Sequence, residues 1–230
     1  MSCSSSSRLT ESGKKPLGGA PPAGGGREYI TVQPFAPTPE DLRGAIGERR
    51  GQPIGIERAL EGANPFYAQS TGAQGNFEEN CQRCVTAYEL RRRGYDVVAL
   101  PTYGNDPLPA GKKWRGAFRG AKAINVGSTN PRTAQENLER QMKKFGHGSR
   151  GIVEIPHHVF NVENVNGKIR YVDAQTNTIY SSNNVFSRLG RQASQVKLIR
   201  TDNLRISERA KKSVTPSTSL TKSLSRKRSK

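Results

Sequence analysis

The chain has little of what most folds are held together by. Only 3 of its 230 residues are cysteine, one of them at position 3 in a serine-rich start, so a disulfide framework is excluded and reduced thiols are the expectation. No apolar run approaches the length of a membrane span, and no N-terminal stretch resembles a secretory signal. A soluble protein, cytoplasmic or virion-associated, is therefore expected. Hydrophobic residues make up 33% and aromatic residues 7% of the chain, which implies that a sizeable part never joins a core. Acidic residues are scarce too. Against 19 Asp and Glu stand 37 Lys and Arg, and the formal charge of +18 predicts attraction to polyanions such as nucleic acid.

The poor core-formers are concentrated at the ends. The start is built from Ser, Gly, Pro and Lys, which cannot bury enough apolar surface to offset their ordering entropy, so residues 1–35 read as a disordered arm. From Ser207 onward the chain is basic and rich in Ser and Thr, and residues 207–230 read as a disordered cationic tail able to contact nucleic acid non-specifically. One folded domain, 36–206, is expected between them.

What is present centres on the stretch from Asn80 to Leu100. Asn80 is a good N-cap; Cys81, Cys84, Val85 and Tyr88 recur at helical spacing; Gly94 is the stop. Cys81 then lies in the first helical turn, where the helix dipole favours a thiolate, while Cys84 sits a turn further in. Arg91 to Arg93 read as surface residues compensating the dipole. A strand follows at Tyr95 to Leu100. Before this stretch, short helices are expected behind Thr38 and over Ile56 to Leu60. After it, Trp114 and Phe118 lie four apart among glycines that make a helix doubtful. Asn130-Pro131 opens a core helix carrying Leu138, Met142 and Phe145, closed by Gly146.

Gly151 to Ile155 is a strand, and Asn166-Gly167 marks a hairpin. With those two residues as the loop, Val165 faces Lys168, Glu163 faces Arg170 and Val162 faces Tyr171. His158 and Asp173 then share a face as diagonal neighbours, and His157 points to the opposite one. Val196 to Ile199 reads as the last strand. A cysteine at a helix start, a histidine on a strand and an acid on its hairpin partner supply what nucleophilic attack on an acyl carbon needs: a thiolate, a proton carrier and a group orienting it. The competing chemistry is zinc. Cys81 and Cys84 are half a ligand set, but His147 with His157 or His158 lacks finger spacing, so no metal and no cofactor is expected.

Asn64-Pro65, the block NCQRCVTAYELRRRGYDV and the block HVFNVENVNGKIRYVDAQTN together resemble the papain-fold toxin domain, the glutamine-deamidase-like domain of bacterial polymorphic toxins and phage head-associated proteins. The resemblance spans residues 64–202. It implies an α+β, papain-like cysteine hydrolase fold with N-terminal helices packed on an antiparallel sheet. It further implies Cys81 as nucleophile, His158 as base and Asp173 as orienting acid, with Gln175 following the acid and Gln74 as a candidate oxyanion donor. Two positions depart from the family pattern: His157 stands where glycine commonly precedes the histidine, and Ala174 where proline commonly follows the acid. The expected activity is protein-glutamine deamidation on a glutamine-bearing protein, with an immunity or virion partner. The alternatives are a papain-like protease and an inert phage structural or DNA-associated protein whose basic tail is the working part.

Overall fold

A computed structural model describes residues 54–67, 76–102, 113–180 and 185–218 of the chain. The helices are α1 (Ile56–Glu61), α2 (Cys81–Arg92) and α3 (Pro131–Phe145), with 3-10 helices at Lys113–Ala117, Ser187–Gln195 and Glu208–Lys212. The strands are β1 (Val97–Ala99), β2 (Ile124–Asn125), β3 (Arg150–Ile155), β4 (His158–Val165), β5 (Lys168–Asp173), β6 (Thr178–Tyr180), β7 (Lys197–Arg200) and β8 (Val214–Pro216). Six of them form an antiparallel sheet in the order β2-β7-β3-β4-β5-β6, and β1 pairs with β8. The architecture is α+β.

Strand alternation gives the sheet two apolar faces. Ile152, Val159, Val172 and Ile199 pack with Cys84, Val85 and Tyr88 of α2. Val153, Phe160, Val162, Tyr171 and Leu198 pack with Ala134, Leu138 and Met142 of α3. The two helices differ accordingly. α3 is amphipathic and buries one stripe, and Asn130 caps it by accepting from the N–H groups of Arg132 (2.9 Å) and Thr133 (3.3 Å). α2 is covered on nearly every side, from Cys81 to Leu90.

That burial corrects the surface reading of its arginines. Arg93 is buried and donates to Glu89 (2.8 Å) and to the carbonyl of Thr201 (2.6 Å), while Arg92 grips Glu163. Glu89 also accepts from Arg150 at 2.9 and 3.1 Å. Burial alone would raise the Glu89 pKa, but Arg150 and Arg93 hold it down to about 2. Trp114 and Phe118, ambiguous in the sequence, are buried and meet edge to face at 6.4 Å around the 3-10 helix.

The fold also runs on past residue 206, where the sequence reading begins a tail. Ile206, Ala210 and Val214, spaced four apart, bury into the α2 core, and Ser207 caps the Glu208–Lys212 helix. β8 then occupies the edge of β1, Ala99 opposite Val214. A basic composition conceals these three apolar positions because the cations between them, such as Arg209 and Lys211, point to solvent. The 1–35 arm, the helix expected behind Thr38 and the chain after residue 218 lie outside the described residues.

Candidate active site

α2 and β4 lie side by side and run the same way. Asn161 donates to the carbonyl of Val85 (3.2 Å), and further along Tyr88 donates to Glu163 (2.6 Å). One helical turn back from Val85 is Cys81, and two strand residues back from Asn161 is Val159. Both steps cover roughly 6 Å, so the start of α2 is level with the start of β4.

β4 begins at His158 because the β3–β4 turn is only two residues long, with Ile155 opposite His158. His157 is in that turn, not on the strand, and its φ is 64°. This left-handed conformation is one that glycine adopts freely and a histidine rarely does. At the other end of the hairpin Asn166 and Gly167 have φ of 53° and 81°, as a two-residue turn requires, and Val165 pairs with Lys168. His147, weighed as a metal ligand, sits here and accepts from the Asn166 N–H at 2.9 Å.

The register brings His158 and Asp173 together: Nε2 of the imidazole is 2.8 Å from Oδ2 of the carboxylate. Asp173 also receives the Tyr180 hydroxyl on Oδ2 (2.8 Å) and the Gln175 N–H on Oδ1 (3.0 Å). The carboxylate is buried, while 24% of the His158 side chain is exposed. Burial would lower the pKa of His158, but the charge and hydrogen bond of Asp173 raise it above its ordinary value. For Asp173 burial acts upwards, and His158, Tyr180 and Gln175 together bring its pKa below the usual carboxylate value.

Alternation sets this pair on the sheet face of Phe160 and Tyr171, whereas Val159 and Asn161 face α2. The pair stands where the strands end, on the face opposite the one that α2 packs against. The loop before α2 is fastened to the same end. Gln175, one of the expected supporting residues, donates its side-chain amide to the Glu78 carbonyl, and its own carbonyl accepts from Asn64 (2.9 Å). Asn64 and Asn80 exchange amide hydrogen bonds at 3.3 and 3.2 Å, and Asn80 donates to the Leu100 carbonyl at 3.1 Å. Asn80 therefore does not cap α2 with its side chain. Its Oδ1 instead accepts the Cys84 thiol at 2.9 Å.

Cys84 is a free, buried thiol. Burial, then the nearby charge of Asp173, pushes the Cys84 thiol well above its ordinary pKa. Gln74 lies outside the described residues. Neither Tyr180 nor the bonding role of Asn64 is marked by a motif in the sequence. Tyr180 belongs to a third antiparallel strand announced only by the short alternation Thr178-Ile179-Tyr180.

Residues 79–178 match the family model of papain fold toxin 1, glutamine deamidase. That family is of the hydrolase type, and the matched segment encloses Cys81, His158, Asp173 and Gln175 but less than half of the chain. Tyr180 and β7 fall beyond it, and so does α1. No curated protein and no solved structure matches the chain. Among the described residues no helix is long and apolar enough to cross a membrane.

Proposed function

We propose that the chain is a cysteine amidohydrolase of papain-like fold that deamidates a glutamine side chain on a protein substrate, with Cys81 as nucleophile. The observation that carries this reading is the His158–Asp173 hydrogen bond at the sheet end level with the start of α2, inside the segment matched to glutamine deamidases. Cys84 is disfavoured as nucleophile because its thiol is buried and held protonated.

In the proposed reaction the Cys81 thiolate attacks the side-chain carbonyl carbon of glutamine. The positive end of the α2 dipole favours both the thiolate and the oxyanion that forms. With Nε2 engaged by Asp173, Nδ1 of His158 is the nitrogen that gives its proton to the departing amine. Ammonia leaves and a thioester remains. Neutral His158 then takes a proton from water, whose oxygen attacks the thioester. Glutamate is released and the thiolate returns, for a net exchange of water for ammonia. Asp173 stays ionised, fixing the ring and stabilising the imidazolium.

The test is mass spectrometry of a glutamine-bearing protein after incubation with reduced wild type and with Cys81→Ala. Wild type should produce the mass gain of an amide turned to an acid, and the variant should not. New peptide termini in place of that gain would make the chain a protease.

A further inference from the structure

We propose that Tyr180 is a positioning residue of this site, its phenol on β6 setting the orientation and basicity of the carboxylate that holds His158. The inference rests on the reading of His158 and Asp173 given above and extends it beyond the matched segment, which ends at residue 178.

The geometry is that of one acceptor between two strands. Asp173 pairs with Thr178, so Tyr180 is its diagonal neighbour on β6, as His158 is its diagonal neighbour on β4. From these two sides the phenol and the imidazole reach the same oxygen, Oδ2, each at 2.8 Å. Oδ1 is taken by the Gln175 N–H. A buried carboxylate needs its lone pairs occupied to stay ionised, and a donor that shares an oxygen with the imidazole also withdraws charge from that contact. The other titratable groups facing Asp173 are Cys84 from α2 and Tyr67 from the loop after α1. Tyr180 itself is half-buried with its ring packed against the core on the α3 side, and Tyr180→Phe keeps that ring.

Removing the hydroxyl leaves Asp173 with one donor fewer, and its charge falls more fully on the imidazolium. In Tyr180→Phe, His158 should titrate higher than in wild type, followed by NMR of the ring protons on the free protein. The alkaline limb of the pH–rate profile should move up with it, and kcat should drop roughly tenfold at little change in KM. Replacing Tyr180 with 3-fluorotyrosine, a stronger donor of the same shape, should move the His158 titration down. Opposite shifts from the two substitutions support the proposal. An unmoved His158 titration and pH profile in both, while Asp173→Asn abolishes turnover, overturns it and leaves the catalytic reading standing. If Asp173→Asn and His158→Asn both turn over normally, the catalytic reading fails and the role of Tyr180 with it.

Discussion

Arg92 of α2 holds Glu163 of β4 by two hydrogen bonds, Nε to Oε1 at 2.6 Å and Nη2 to Oε2 at 2.9 Å, and the Tyr88 hydroxyl adds a third at 2.6 Å. In the hairpin register Glu163 faces Arg170, yet its carboxylate is turned into the α2 interface. Breaking one side of a buried pair leaves the other charge uncompensated, which costs about 3 kcal/mol or more. Glu163→Gln should lower the unfolding free energy read from urea titration by that amount, with a matching fall in the midpoint, while turnover per folded molecule in native buffer stays near wild type. A midpoint within error of wild type would mean that Arg92 is satisfied by solvent and the pair is ornamental.

The His158–Asp173 contact has its own pH signature. His158 has a raised folded-state pKa, so its contribution to stability is full below the unfolded value of about 6.5 and is lost as pH rises through the folded value. Asp173 has a depressed one, so its contribution is present above about 3.9 and is lost as pH falls through the folded value. The stability difference between wild type and Asp173→Asn should therefore peak between about pH 4 and 6.5 and shrink on both sides. Thermal midpoints across pH 3–9 would read it, and a difference flat with pH would remove the ionic character assigned to the pair.

Local chemistry made part of this legible and tertiary context decided the rest. Asn166-Gly167 fixes a two-residue turn, and a period of two then determines which side chains share a face, so the His158–Asp173 contact followed from the sequence alone. The same periodicity could not say which face α2 covers, since that depends on Asn161 and Glu163 finding partners on a helix some 70 residues earlier. Asn80 has the composition of a cap, but a buried amide offered a partner amide by Asn64 and a thiol by Cys84 satisfies those instead. Alternation places His157 on the strand, while its positive φ belongs to a turn too short to signal itself. Charged residues misled most, because Arg92 and Arg93 look solvated until their carboxylate partners are in view.

Cys81 as nucleophile makes activity thiol-dependent. Only a thiolate attacks an amide, so turnover should be lost when the thiol is oxidised and should return when a reductant is added. After reduction, iodoacetamide at mildly acidic pH should label Cys81, at the dipole end of α2, and leave Cys84 untouched until the protein unfolds. Peptide mapping of the alkylated protein separates the two, since trypsin can cut between them at Arg83. Labelling of Cys84 first, or full turnover after thiol oxidation, would shift the nucleophile from Cys81.

Truncation locates the end of the fold. Ending the chain after Thr218 removes only the last basic stretch and should leave the thermal midpoint unchanged, while lowering salt-sensitive affinity for a nucleic-acid probe because fewer cations release counterions. Ending it at Ile206 removes the Glu208–Lys212 helix and β8 together. Ala210 and Val214 leave the α2 core, Arg83 loses the Lys212 carbonyl, and the Leu100 N–H loses the Ser213 carbonyl at 2.9 Å. β1 is then an unpaired edge above the site helix. Several kcal/mol of burial and pairing go at once, a large share of the roughly 5–15 kcal/mol that holds a domain of this size, so the shorter chain should be unfolded or aggregated. Circular dichroism on the two truncations decides it: a well-folded, fully active 1–206 fragment would return residues 207–218 to the tail and detach β8 from the domain.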